Sequence, residues 1–265
     1  MMKMRCCAIA CALLAGSAFA ADWRETLTPP VPGRFPPLRP LTAKYVFGWG
    51  AVTAAEGTFQ FSKTKEGRLQ LSLRTKTTGV VRSLWRMDAE HLALAQAATL
   101  WPISVRQTEI YKSETETTKA DYRREGVERL IETTPAGASR AKKKWFPCAN
   151  VFDLHTALLF VRSQPLQDGD VYRLPVFPAR SLYLTEIRVQ GREKLTVAGR
   201  EYAAIKCDVL LQGVNRDLVL EAHHKFTGAS AWISDDADRL LLKIDSEIFV
   251  GSVWAELESV TFQKR

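Results

Sequence analysis

From Tyr45 onward the chain alternates apolar and polar positions with a period of two, the mark of strands with one buried face. Residues 45–50 and 57–62 bracket a short connection. Leu69, Leu71 and Leu73 then alternate with Gln70, Ser72 and Arg74 until Thr77-Thr78-Gly79, and residues 80–85 read as a short helical turn. Further strands are predicted at 103–111, 119–124 and 127–133, the last two split by Glu125-Gly126, and then at 171–177, 182–189, 193–197, 202–211 and 217–226. Gly191, Gly199 and Gly213 fall at turns. A meander of antiparallel strands fits this spacing, and no βαβ alternation is present.

Residues 151–163 break the pattern. Asn150 is a candidate cap, Asp153 stands in the first turn, and Gln164-Pro165 ends the helix. At 100° per residue, Val151, Phe152, Leu154, Ala157, Leu158, Leu159, Phe160 and Val161 cover nearly the whole circumference, leaving His155 and Arg162 on a narrow polar stripe. A helix apolar on almost every side is buried on almost every side. With strands as its only partners, the expected fold is mainly β: a single domain in which a strongly curved antiparallel sheet or partly closed β-barrel of about a dozen strands wraps around one long helix.

The closing strands, residues 239–262, carry a Gly251-Ser252 pair that reads as a two-residue hairpin connection. That register sets Val250 against Val253, Ile248 against Ala255 and Phe249 against Trp254. It also sets Glu247 against Glu256 and Asp245 against Glu258, so like charges meet on the outer face unless Lys243 and water relieve them.

The first residues place Lys3 and Arg5 before an apolar run and Ala18-Phe19-Ala20, a cleavable secretory signal over residues 1–20 with export to the periplasm as the expectation. The run is too short to span a bilayer. Cys11 is a weak lipoprotein candidate. Residues 21–40 hold Pro29, Pro30, Pro32, Pro36, Pro37 and Pro40 and read as an extended leader, and residues 41–263 form the domain. Export removes three cysteines and leaves Cys148 and Cys207, either bridged or two buried thiols.

The net charge is +8. Part of it is concentrated at Arg140, Lys142, Lys143 and Lys144, which read as a solvated loop; nucleic acid is not expected for an exported chain with no recognition motif. No nucleophile elbow accompanies the four histidines. His223 and His224, beside Glu221, would point to opposite faces of a strand, and Asp235, Asp236 and Asp238 lack calcium-loop spacing. Neither a catalytic group nor a metal or cofactor is therefore expected.

Several stretches resemble the bacterial domain-of-unknown-function family 3108: residues 45–59 with Gly48-Trp49-Gly50 and Glu56-Gly57, then Thr77-Thr78-Gly79, residues 152–170, Leu174-Pro175-Val176-Phe177, Ala231-Trp232-Ile233-Ser234-Asp235-Asp236, and residues 249–257. The chain departs from the family in lacking an Asp-Pro near the helix start, where it has Phe152-Asp153-Leu154-His155. The resemblance implies an exported envelope protein and supplies no catalytic residues. By analogy of fold it is similar to lipoprotein carriers.

Together these features predict a non-enzymatic periplasmic binding or carrier protein for an apolar ligand such as a lipid or acyl chain. Trp85, Phe152 and Phe160 would line the site, and Arg162 would meet a headgroup. The alternative is an envelope scaffold or assembly factor that binds a protein or glycan through the outer strip Asp245, Glu247, Glu256 and Glu258.

Overall fold

The structure, a computed structural model, describes residues 22–135, 140–222, 226–248 and 251–263. The expected signal segment, Cys11, His223 and His224 lie outside these. All the strands join one antiparallel sheet of 15, more than the pattern predicted.

The first half is a meander of β1 (Leu41–Trp49), β2 (Val52–Lys63), β3 (Leu69–Thr77), β4 (Met87–Ala95), β5 (Pro102–Tyr111), β6 (Glu114–Arg123), β7 (Gly126–Pro135) and β8 (Arg140–Phe146). The second half comprises β9 (Val171–Val176), β10 (Leu182–Val197), β11 (Arg200–Val214), a short β12 (Leu220–Ala222) beside β11, β13 (Phe226–Ser234), β14 (Leu241–Ile248) and β15 (Gly251–Phe262). The halves meet where β1 pairs with β15, Leu41 opposite Phe262, so β8 and β9 are the two outer edges.

Only two α-helices occur among the described residues, α1 (Gly79–Leu84) and α2 (Leu154–Ser163), and both are short. The expected long helix at the centre of a wrapped sheet is therefore corrected to a ten-residue segment. Its cap is Asp153 rather than Asn150: the Asp153 carboxylate accepts from His155 N at 2.8 Å and Thr156 N at 3.3 Å, while Thr156 Oγ1 accepts from Asp153 N at 3.1 Å. Asn150 instead has φ +58. Burial follows the sequence more closely than length does, since eight of the ten helix residues are buried. Leu159 joins the cluster containing Leu41, Phe61 and Leu71, whereas Ala157, Phe160 and Val161 join Phe152, Leu174, Ile187 and Ile205.

The sheet curls until its outer edges approach, with α2 carried on the link from β8 to β9. Phe146 on β8 lies 4.7 Å, ring to ring, from Phe177 just past β9. Tyr122 Oη on β6 donates to Phe177 O at 2.6 Å, and Arg180 Nη2 donates to Glu109 at 2.8 Å and Glu116 at 2.6 Å. This seam is made by side chains, and no β8–β9 ladder closes it, so the sheet is barrel-like but open.

Three further expectations change. The basic run Arg140 to Lys144 is the edge strand β8 rather than a loop. Gly191 is not a turn; β10 runs through it with a register shift between Val189 and Gly191. In the closing hairpin β15 already begins at Gly251, and Ile248 faces Gly251. The register is thereby shifted: Glu247 faces Ser252, Asp245 faces Trp254 and Glu256 faces Lys243. The predicted like-charge pairs at Glu247 and Asp245 do not form, and the pairings of Phe249 and Val250 lie outside the described residues.

Candidate functional site

Residues 22–40 do not trail away from the domain. After a 3-10 turn at Trp23–Thr26 they form an extended strap along the C-terminal end of α2 and the edge strand β9. Thr28 N donates to Arg173 O, and Arg173 N donates back to Thr28 Oγ1, both at 2.9 Å. These bonds use ladder positions on the outer edge of β9, where Phe152 N also donates to Pro175 O at 2.9 Å and Phe177 N to Phe152 O at 2.8 Å. Further along, Gly33 N donates to Ser163 Oγ at 2.9 Å, Phe35 N to Ser163 O at 3.2 Å, and Gln164 Nε2 to Val31 O at 3.1 Å. Gly33 is required by proximity: a Cβ there would lie 2.0 Å from Ser163 O.

Two cavities open beneath this strap. The larger, about 180 Å3, is lined by Pro32, Gly33, Phe35, Pro37 and Leu38 of the strap, Phe61, Lys63 and Leu69 of the β2–β3 end, Ala97, Ala98 and Leu100, and Leu159, Arg162 and Ser163 of α2. The smaller, about 40 Å3, adds Tyr45, Phe59, His155 and Arg239. Leu38, Leu159 and Arg162 are common to both.

Arg162 is only 4% exposed. Its Nε donates to Asp238 O at 2.9 Å and its Nη1 to Pro36 O at 2.8 Å, while Nη2 is buried without a partner. Arg239, also buried, donates to the carbonyls of Arg162, Gln164 and Pro165 and so satisfies the open end of α2. Phe35 lies over both guanidiniums, at 3.6 Å from Arg239 and 5.4 Å from Arg162. Neither arginine has an ion pair to a carboxylate among the described residues; Asp238 is held instead by Arg39 at 2.6 Å. Burial, with Arg239 close by, pushes the Arg162 guanidinium down to about 10, still charged at neutral pH.

The sequence-derived site is thus divided. Arg162 lies at the cavities. Phe152 and Phe160 stack on each other at 5.1 Å in the second core cluster, and Trp85 is 53% exposed beside Tyr111, 6.3 Å ring to ring. None of these three lines either cavity. The strap residues and Arg239 were missed because a proline-rich stretch has no period to betray a buried side. Phe35, an aromatic residue among the prolines, was the available signal.

Cys148 and Cys207 are free thiols in separate core clusters, so the candidate bridge is corrected to two buried thiols, each pushed up to about 11 by burial. In the outer strip, Lys243 Nζ lies 2.9 Å from Glu256 and 3.8 Å from Asp245, while Glu247 and Glu258 are exposed. His91 and His155 approach to 6.3 Å, but burial depresses both, and the Asp153 carboxylate is committed to capping. Nothing in this arrangement indicates catalysis. Among the described residues no group of three His, Cys, Asp or Glu could hold a metal, and no helix is long and apolar enough to cross a membrane.

Comparison with known proteins agrees with the architecture. The family described as "Protein of unknown function (DUF3108)" matches residues 44–258, and the chain belongs to it. The strap precedes the matched region. Among solved structures, the chain is similar to a β-barrel-like protein of the domain of unknown function DUF1849 from Brucella abortus, with a TM-score of 0.53 at 10% identity over 87% of this chain and 100% of that one. A structure described as a "putative lipoprotein" from Parabacteroides distasonis matches with a TM-score of 0.34 at 6% identity over 87% of this chain and 99% of that one, too distant to carry an argument. No curated protein matches.

Proposed function

We propose that this member of the DUF3108 family is a non-enzymatic binding protein of the cell envelope, exported to the periplasm, that holds a small apolar or amphiphilic molecule beneath its N-terminal strap. The observation that carries this reading is the cavity of about 180 Å3, walled mainly by Phe, Leu, Pro and Ala and backed by a buried arginine. Concave apolar sites with a few convergent polar groups are the usual form of small-molecule sites.

Size narrows the ligand. An apolar cavity of about 150 Å3 admits benzene, so this one takes a group of comparable bulk rather than a whole diacyl lipid. The acyl ligand first expected from the sequence is reduced to a short chain or the end of a longer one.

Native mass spectrometry of protein purified from cell envelopes without detergent tests the proposal. A bound small molecule is expected, and it should be absent from an Ala98→Trp variant, whose indole would fill the cavity. A wild-type chain that is always empty, with no molecule retained from envelope extracts, would sink the reading. The scaffold alternative draws on exposed Glu247 and Glu258. Charge reversal at both would abolish partner capture while sparing the small molecule if that alternative were correct.

A further inference from the structure

The cavity contains an electrostatic imbalance that a purely apolar ligand would leave unresolved. Arg162 and Arg239 are both buried and lie side by side, with no carboxylate paired to either among the described residues. Arg239 is compensated by three carbonyl oxygens at the negative end of α2. Arg162 is not: two of its nitrogens reach carbonyls, and the third, Nη2, is buried with nothing to donate to. A buried charged donor without an acceptor is costly, and buried polar groups in folded proteins are nearly always satisfied. The third lining residue with a polar head, Ser163, is already engaged, since its Oγ donates to Phe160 O at 2.6 Å and accepts from Gly33 N. Lys63 adds a further cation at the exposed side of the same cavity.

Resting on the binding reading above, we propose that the strap cavity is a monocarboxylate site: the guanidinium of Arg162, a lining residue, is the counter-charge for the carboxylate of a short-chain fatty acid, and the alkyl chain lies among Phe61, Leu69, Leu100 and Leu159. A single buried guanidinium in the lining, without a carboxylate ion pair among the described residues, matches a monoanion. A phosphate dianion would carry a second charge into a chamber walled mainly by Phe, Leu, Pro and Ala. Charge-assisted hydrogen bonds are about twice as strong as neutral ones, so the head should set the preference among ligands of equal chain length. Lys63, exposed in the lining, draws the anion to the mouth.

Isothermal titration calorimetry of the purified protein with hexanoate, hexanamide and hexylammonium tests this. Hexanoate is expected to bind at one site, at least about tenfold more tightly than hexanamide, with hexylammonium showing no binding. Equal affinity for hexanoate and hexanamide overturns the carboxylate assignment and leaves the apolar-cavity reading standing. Absence of binding by all three overturns both. Arg162→Lys should weaken hexanoate more than it weakens hexanamide. Because Arg162 also holds the strap, Lys63→Gln provides a variant that keeps the fold: it should weaken hexanoate a few-fold at low salt and less at high salt. A Lys63→Gln protein with unaltered hexanoate affinity at low salt overturns the role given to Lys63.

Discussion

Arg239 carries more of the structure than its position in a turn suggests. Its guanidinium replaces the missing partners at the end of α2 and is covered by the Phe35 ring. Arg239→Met keeps the bulk and leaves three carbonyls unpaired, so a loss of about 2–4 kcal/mol in urea unfolding is expected. The histidines act through protonation. Burial, with His155 nearby, depresses His91 to about 4, and burial likewise depresses His155 against the opposing pull of Asp153. A histidine held neutral in the fold contributes fully above its unfolded value near 6.5, and that contribution falls as acidification protonates the unfolded chain. At ~1.4 kcal/mol per pKa unit, the loss from His91 approaches roughly 3 kcal/mol by pH 4 and then levels off. Urea midpoints at pH 7, 5.5 and 4 should trace this decline, and His91→Gln should flatten it. Cys148 and Cys207 are expected to resist a thiol-specific disulfide reagent until the chain is unfolded, and dithiothreitol should leave the melting temperature unchanged. Absence of modification even after unfolding, or melting lowered by reductant, would restore the bridge.

At the scale of elements, α2 was legible in its burial and misread in its extent. An almost uniformly apolar circumference identifies a buried helix, but Asp153 caps it three residues later than Asn150 would have done. Phe160, fully buried at the junction with Phe152, should cost about 3–5 kcal/mol when replaced by Ala. The strap was the main omission. Prolines fix an extended backbone without announcing which side packs, and the bonds of Gly33 and Phe35 to Ser163 are tertiary facts. Gly33→Ala forces a methyl against Ser163 O, so the strap should lift. A loss of about 1–3 kcal/mol, as for an overpacked contact, should appear together with weaker ligand retention in native mass spectrometry. The hairpin error is also instructive. Gly251-Ser252 has the composition of a tight turn, yet the register that faces Lys243 with Glu256 removes the repulsion of the Glu247–Glu256 alternative. Charge pairing was visible in the sequence and outweighed the turn signature.

For the molecule as a whole, period-two patterning made the antiparallel class plain but could not show that the sheet's outer edges are neighbours. That closeness is made by contacts across the seam, Phe146 against Phe177 and Tyr122 Oη on the Phe177 carbonyl. The two edges are protected differently. β9 is occupied by Thr28 of the strap, whereas β8 presents Lys142 and Lys143 along its length. Lysines on an exposed edge discourage pairing with a second chain. Replacing Lys142 and Lys143 with Val should leave the melting temperature nearly unchanged while promoting concentration-dependent association, readable by light scattering.

The pairing of the first strand with the last has a kinetic corollary. Leu41 waits for Phe262, so the central seam of the sheet cannot zip until the twelve-residue β15 has been synthesised. Contacts so distant along the chain slow folding. Until they form, the nascent polypeptide carries two half-finished meanders, each with a naked border.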